Sequence, residues 1–173
     1  AAECTLFLNK NDQFPIKKPG EVLLIGSGAR NTVKGGLGSG NVESRYYITC
    51  EEGLERVGFK ITSKEWLDKY PLLKEKKIME HINFINDTHV KNNVSGSFRM
   101  ISFPEYDYNL AITEEEENAD IAIYVIARNS GEGTDRRLIK GDAMLTDTEV
   151  KDILYLNKKF EKFMLVLNVG GES

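Results

Sequence analysis

The sequence predicts an α/β fold, a three-layer sandwich in which helices cover both faces of a mainly parallel sheet. Apolar runs of strand length alternate with segments that carry helix-capping signals. One of these runs, residues 121–127, is apolar throughout, as expected of a strand that is covered on both faces. Right-handed crossovers would then place helices on both sides of the sheet. With 173 residues, of which 40% are hydrophobic, the chain can bury a core as one domain.

The first strand and helix have clear boundary signals. Residues 21–28, EVLLIGSG, form a short apolar run that ends in glycines and predict a buried strand. Thr49 is followed three residues later by Glu52, which is the spacing of a capping box, and the helix that it opens should end at Gly58. Residues 59–61 then predict a second strand.

The middle of the chain predicts a long helical region followed by an irregular connection. Thr62 and Glu65 repeat the capping spacing, and Pro71 should interrupt the helix. Four apolar residues further along share one helical face and are predicted to be core: Ile78, Met79, Ile82 and Ile85. Periodicity fades over residues 92–118, which predict no regular element.

The last part of the chain predicts one more helix and a final strand. Thr146 and Glu149 form a third capping box. The inner face of the helix after it is predicted to hold Val150, Ile153, Leu154 and Phe160. Residues 163–171, FMLVLNVGG, predict a strand whose free edge would need cover from later sequence or from another chain.

Composition and charge exclude several classes of function. The net charge is −4, with 23 basic and 27 acidic side chains, which gives no basic surface for nucleic acid or an anionic membrane. The two cysteines show no spacing of a zinc site or of a disulfide framework. His81 and His89 are not in an HExxH motif, and we assign them no ligand role. We therefore expect no metal, no cofactor, no nucleic acid and no membrane partner.

The first unusual loop, residues 26–45, contains six glycines and the cations Arg30, Lys34 and Arg45. Ligands gather at the carboxyl ends of strands in open α/β sheets, and this loop follows the first strand. A dinucleotide cradle is one interpretation, but the third glycine of that motif is missing and no capped helix follows at once. The alternative is a flexible loop that forms an interface.

The second unusual loop is ARNSGEGTDRR, residues 127–137, at the end of the all-apolar strand. Gly131 and Gly133 leave the carboxylate of Glu132 prominent, which suits a group that must reach into a cleft as a general acid. Glu132 as a solvated loop residue, beside a local Asp135–Arg136 ion pair, is the competing interpretation.

Charges near this loop bear on such a role. The arginines at positions 128, 136 and 137 would lower the pKa of a neighbouring carboxyl group unless Asp120 and Asp135 hold them or they point away to a partner surface. A retaining glycosidase also needs a second carboxylate about 5 Å away. The acidic run of residues 114–117 is not a credible source, since an exposed helix cap explains it better.

Several segments together resemble the second domain of family 3 glycoside hydrolases, the β-glucosidase group. The segments are TVKGGLGSGNV (32–42), EEGLERVGFKITSKEWLDKY (51–70), IYVIARNSGEGTDR (123–136) and VLNVGG (166–171), and they are collinear over nearly the whole chain. The opening residues 1–20 are similar to the segment that leads into this domain. The resemblance implies that residues 21–173 are an α/β sandwich domain whose C-terminal part is missing.

The resemblance also implies an activity and residue roles. Glu132 would be the acid/base residue, while a barrel domain outside this chain would supply a nucleophilic aspartate. Asp135 would anchor the loop, and the substrate cleft or domain interface would include Lys34, Gly35, Gly36 and Arg136. The substrate would be a β-glucoside or oligosaccharide, and the isolated chain would be inactive. A noncatalytic carbohydrate-binding or domain-interaction module is the competing hypothesis, and nucleotide binding is a third.

Overall fold

The computed structural model describes residues 5–6, 8–9, 12–35, 45–92, 104–129 and 136–169, with residues 85–92 described by their backbone alone. Within these ranges the chain forms four strands and three helices. In chain order they are β1 Glu21–Ile25, α1 Cys50–Arg56, β2 Lys60–Ile61, α2 Lys64–Asn92, β3 Ile121–Arg128, α3 Asp147–Lys159 and β4 Phe163–Val169. Strands and helices alternate as the sequence predicts.

The strands form one parallel sheet in the order β2-β1-β3-β4. The chain moves one way from β1 to β2, and then the opposite way, across β1, to β3 and β4. Because crossovers between parallel strands are right-handed, α1 lies on one face of the sheet while α2 and α3 lie on the other. The predicted α/β fold with a mainly parallel sheet is confirmed.

The two central strands form the core. β1 and β3 pair in register from Val22 opposite Ile121, and both strands are almost completely buried. Ser63, just beyond the short strand β2, extends the pairing on the other side of β1. Its Oγ accepts a hydrogen bond from the N–H of Leu24 at 2.9 Å and donates to the Leu24 carbonyl at 2.5 Å.

The predicted boundaries of α1 are confirmed. The Thr49 hydroxyl accepts a hydrogen bond from the N–H of Glu52 at 3.1 Å, and the Glu52 carboxylate accepts one from the N–H of Thr49 at 3.2 Å. This reciprocal arrangement satisfies two donors that a helix start would otherwise leave unpaired. Gly58 follows the helix with φ +98°, a conformation that favours glycine.

The start of α2 differs from the prediction, because Thr62 and Glu65 do not form a capping box. Thr62 donates its hydroxyl to the carbonyl of Glu116 at 2.6 Å, and Glu65 forms an ion pair with Lys69. The first-turn N–H of Trp66 donates to Oε1 of Glu116 at 2.8 Å instead. The cap thus comes from 50 residues further along the chain, where local spacing gives no signal.

The predicted interruption near Pro71 is wrong, since α2 continues to Asn92. Pro71 has no N–H and therefore cannot bond the carbonyl one turn earlier, which weakens a helix. The rings of Trp66 and Tyr70 stack with centroids 5.0 Å apart, and both residues are buried. We infer that this packing fixes the helix through the proline.

The apolar stripe in the second half of α2 is not core as predicted. Met79 is 51% exposed, while Ile78 and Ile82 are only half-buried. The side chain of Ile85 lies outside the described residues. Helical spacing shows that residues share a face, but it does not show that the sheet extends far enough to cover that face.

The capping box of α3 is confirmed. Thr146 accepts a hydrogen bond from the N–H of Glu149 at 3.1 Å, and Glu149 accepts one from the N–H of Thr146 at 2.8 Å. The predicted inner face is partly wrong, because Val150 and Leu154 are exposed. The inward positions, some of them half-buried, are Glu149, Ile153, Leu156 and Phe160. Because Glu149 points inward, the next residue, Val150, and Leu154 one turn later point outward.

The final strand lies at the edge of the described sheet. β4 pairs with β3 over its whole length, and the side chains of Leu165, Leu167 and Val169 are exposed on one face. An exposed apolar face of this kind invites cover by further structure. Among the described residues, no helix is both long and apolar enough to cross a membrane.

Candidate functional site

The carboxyl ends of β1 and β3 form a topological switch point, since the strand after β1 lies on one side and β3 on the other. Such points open a crevice in doubly wound sheets. Ser27, just beyond β1, accepts a hydrogen bond at its Oγ from the N–H of Ala127 at 2.9 Å. The N–H of Gly28 donates to the carbonyl of Val125 at 3.0 Å. Both unusual loops therefore leave the sheet side by side.

Two of the predicted glycines allow this close approach. Gly26 has φ +102°, and a side chain there would overlap the carbonyl oxygen of Val125. A Cβ on Gly28 would lie 2.6 Å from Cγ1 of Val125 and 3.1 Å from Cβ of Ala127. The glycines thus serve contact with β3, as tight packing of backbone against a neighbour requires.

The first cation of this loop is already engaged. Nε of Arg30 lies 2.5 Å from Glu51 of α1, and Nη1 lies 2.5 Å from Asp68 of α2. The hydrogen bond with Arg30 lowers the pKa of Glu51 despite its burial. Since Arg30 is held by two carboxylates and α1 begins only at Cys50, this turn lacks the features of a phosphate cradle.

Lys34 and Gly35 are exposed beyond this turn. The ammonium of Lys34 lies 5.3 Å from the centre of the Tyr47 ring. The backbone just before it is tied to β4, because the amide of Asn168 accepts from the N–H of Val33 and donates to its carbonyl at 3.1 Å. Nothing in the sequence pattern of the last strand singles out Asn168 for this role, apart from its being a polar residue in an apolar run.

Arg128, the last residue of β3, is not held by Asp120 as the sequence suggests. Its Nη2 donates to Oε2 of Glu149 at 2.6 Å, and both side chains are buried. Asp120 lies at the opposite end of the strand, where its carboxylate accepts from the N–H of Glu21 at 3.2 Å. The charge of Arg128 is therefore compensated at the end of β3, before the segment that contains Gly131, Glu132 and Gly133 (the glycine loop).

Two further arginines follow the loop. Arg137 is held by Asp142, whose Oδ2 accepts from its backbone N–H at 3.1 Å and from its Nε at 3.2 Å. Arg136 is half-buried, and its Nη2 is buried without a hydrogen-bond partner among the residues that the structure describes. Glu132, Asp135 and Gly36 lie outside the described residues, so their predicted roles stay predictions.

A pocket lies at the same edge, between α2 and α3, with Tyr124 of β3 and Ser27 in its wall. Its lining includes buried polar atoms that have no hydrogen-bond partner in the described part of the chain, among them Oη of Tyr106 and Oε1 of Glu149. Burial, with the nearby charge of Glu149 adding to it, raises the pKa of Asp152 in this pocket to about 6. No pattern in the sequence indicates that the carboxyl group of Asp152 would be buried.

The acidic run of residues 114–117 and His81 make structural contacts. Glu116, expected to be exposed in an acidic run, is buried and caps α2, while Glu114 and Glu115 are exposed. His81 lies against the ring of Tyr106, with centroids 6.2 Å apart. In the part of the chain that the structure describes, no three His, Cys, Asp or Glu side chains come together as metal ligands.

Comparison with known proteins gives consistent matches over nearly the whole chain. The family model described as Glycosyl hydrolase family 3 C-terminal domain matches residues 4–172. Beta-glucosidase A of Butyrivibrio fibrisolvens is 29% identical over 190 residues, which cover 96% of this chain and 21% of that protein.

Solved structures of beta-glucosidase 3B from Thermotoga neapolitana are also similar. The complex with alpha-D-glucose is 28% identical with a TM-score of 0.67, and the match covers 95% of this chain and 22% of that chain. The complex with glycerol is 28% identical with a TM-score of 0.61, covering 92% and 21%. This chain thus spans about a fifth of the length of these relatives.

Proposed function

This chain belongs to glycosyl hydrolase family 3 through the C-terminal domain of that family, and we propose that it supplies the general acid/base of a retaining β-glucosidase-like enzyme. The acid/base is Glu132, and the nucleophilic carboxylate lies on a barrel domain outside this chain. Alone, the chain is inactive, because a retaining mechanism needs both carboxylates.

Glu132 would act twice in one turnover. As an acid it protonates the glycosidic oxygen while the nucleophilic carboxylate attacks the anomeric carbon, so that the aglycone leaves as an alcohol. As a base it then takes a proton from water, which attacks the same carbon and breaks the ester bond to the nucleophile. The proton given in the first step is thereby replaced in the second.

The observation that carries this proposal is the hydrogen bond between the carboxyl ends of β1 and β3. Ser27 and Ala127 are hydrogen-bonded at 2.9 Å, so the loop with Lys34 and the segment with Glu132 leave the sheet from adjacent points. A rigid sheet edge with two adjacent loops is the usual location of a ligand crevice in this architecture.

Two of the three surrounding arginines, Arg128 and Arg137, are compatible with an acid role. A general acid needs a proton at working pH, and a free cation beside it would lower its pKa. Arg128 and Arg137 are each bound to a carboxylate, Glu149 and Asp142 respectively. Neither cation depends on Glu132 for its ion pair.

The barrel partner is supported by exposed apolar side chains at the same edge. Tyr46 and Ile48 precede α1, and Leu138 and Met144 follow the glycine loop; all four are exposed. Apolar surface around a cleft is typical of a docking face. We propose that the barrel domain covers it, and that β-glucosides or oligosaccharides bind in the seam.

Roles for the other predicted residues follow from this arrangement. Lys34, Gly35, Gly36 and Arg136 would line the cleft or the interface, and Asp135 would anchor the loop. The sugar pocket itself would lie mainly on the barrel. A noncatalytic carbohydrate-binding module would use the same surface but would transfer no proton.

Leaving-group dependence separates these two functions. In a full-length enzyme that contains this chain, Glu132→Ala should slow hydrolysis of alkyl glucosides far more than hydrolysis of aryl glucosides with acidic phenols, since an acidic phenol leaves without protonation. The measurement is kcat/KM for both substrate types. Equal losses on both would favour the noncatalytic module.

A further inference from the structure

The guanidinium group of Arg128 donates to three acceptors at the end of β3, two of them on other parts of the chain. Besides its bond to Glu149, Arg128 donates from Nη1 to the carbonyl of Ala127 at 3.0 Å and from Nε to the carbonyl of Asp142 at 3.1 Å. The planar fork of arginine suits such fixed, divergent donors, which a lysine ammonium could not reproduce. The direction in which the chain leaves β3 is therefore set by named contacts.

Glu149 ties this point to a helix. The same oxygen that accepts from Arg128, Oε2, also accepts from the N–H of Thr146 at 2.8 Å in the capping box of α3. A rotation of the Glu149 side chain would break the ion pair and the cap together. Arg128 is thus fixed to the start of α3 and not to a mobile side chain.

Asp142 joins the two sides of the glycine loop. Its carbonyl holds Arg128 on the near side, and its carboxylate holds Arg137 on the far side. Residues 128 and 137 flank the segment that carries Glu132, so a single residue, Asp142, holds both flanks. The named contacts lie wholly outside the segment itself.

We propose that Arg128, Glu149 and Asp142 form a clamp whose role is to position the acid/base segment. This inference rests on the proposed function. A displacement of about 1 Å at a reacting group can cost on the order of 100-fold in rate, so fixed anchor points matter more here than elsewhere in the domain. Buried ion pairs contribute little net stability compared with apolar replacements, which agrees with a role in geometry.

The test is the ratio of kcat/KM for alkyl glucosides to kcat/KM for activated aryl glucosides, measured in a full-length enzyme that contains this chain. Glu149→Gln keeps an acceptor for the Thr146 cap but removes the charge that holds Arg128. We expect the ratio to fall by between about 10- and 100-fold, because only the alkyl substrates need a well-placed proton donor. Arg128→Lys should lower it as well, despite keeping the charge.

Glu116→Gln is the matched control. Glu116 is also a buried carboxylate that accepts from a helix N–H, at the start of α2, but it does not contact Arg128. If Glu116→Gln lowers both rates equally while Glu149→Gln changes the ratio, the clamp is supported. If the two variants have the same effect on the ratio, the clamp is wrong and Glu149 is merely structural.

Two further variants keep the test decisive. Should Glu149→Gln fail to fold, the double variant Arg128→Met with Glu149→Gln removes the unpaired buried cation and should fold while keeping the lowered ratio. Glu132→Ala in the same assay separates the two proposals. A normal ratio in Glu132→Ala overturns the proposed function, whereas a lowered ratio there and a normal ratio in both clamp variants overturns the clamp alone.

Discussion

Ser27 and Ala127 are 100 residues apart in the chain, yet the Ser27 Oγ accepts a hydrogen bond from the Ala127 N–H at 2.9 Å. The serine side chain continues the pairing of β1 with β3 after β1 has ended. On the other side of β1, Ser63 does the same for Leu24. Side chains beyond the strand ends, together with the bond from the Gly28 N–H to the Val125 carbonyl, therefore fix the sheet edge that carries both loops.

Gly28→Ala tests how closely the first loop packs on β3. The new Cβ would lie 2.6 Å from Cγ1 of Val125, so the turn must shift away from the strand. We expect a loss of about 1–3 kcal/mol in the free energy of unfolding, measured by urea denaturation. An unchanged midpoint would mean that the turn does not contact β3 in this way.

Gly53→Ala is the control for that substitution. Gly53 lies inside α1, and a Cβ there would contact only Cγ2 of Ile48, at 3.8 Å. Alanine should stabilise the helix by about 0.5–1 kcal/mol. Opposite signs for the two glycines are the expected result.

Asn168→Ala tests the tether between β4 and the Lys34 segment. The variant loses the acceptor for the Val33 N–H and the donor to its carbonyl. We expect the exchange protection of the Val33 amide to fall by about 5- to 10-fold, since a lost hydrogen bond is worth about 1 kcal/mol or slightly more. Asn157→Ala, at an exposed position of α3, should leave Val33 unchanged. Equal protection of Val33 in both variants would contradict the tether.

Asp152→Asn tests the raised pKa in the pocket. The folded-state pKa is about 6, above the ordinary value of 3.8, so the folded protein holds a proton that the unfolded chain releases. The contribution of Asp152 to stability should therefore be lost as pH rises from about 4 to above 6, so the wild type should lose stability relative to the variant over that range. We expect Asp152→Asn to be more stable by about 1 kcal/mol near pH 8, since solvent screens this half-buried group, and equal near pH 4.

Thermal unfolding at both pH values checks this expectation. Glu75→Gln, at an exposed position of α2, is the control for replacing a carboxyl group by an amide. A stability gain for Asp152→Asn that is equally large at acidic pH would have a cause other than titration.

The parts of the fold that the sequence predicts are those set by local chemistry. Capping boxes at Thr49 and Thr146 place two helix starts correctly, because both members of each box lie within one turn. The same spacing at Thr62 fails, since Glu116 supplies the cap from 50 residues away. The helix through Pro71 fails as a prediction for a similar reason, because distant packing outweighs a local penalty.

The features of the candidate site that the sequence predicts are likewise the local ones, and those that it does not predict depend on distant contacts. Glycine density correctly indicates a close backbone approach at Gly26 and Gly28, as that property belongs to the residue itself. The partner of Arg128 could not be read from the sequence, because Glu149 meets it only after α3 has packed on the sheet. Asn168 was missed for the same reason, since its contact joins β4 to a loop on the far side of β3.

The most direct test of the central proposal is the product that Glu132→Ala forms with azide in a full-length enzyme that contains this chain. With an aryl glucoside, the second step then lacks its base, and azide, which needs none, should attack the glycosyl-enzyme and restore turnover. Two successive inversions predict β-glucosyl azide, seen by proton NMR. Undiminished hydrolysis by the variant, or slow hydrolysis that azide neither accelerates nor diverts into a glycosyl azide, would contradict Glu132 as the acid/base.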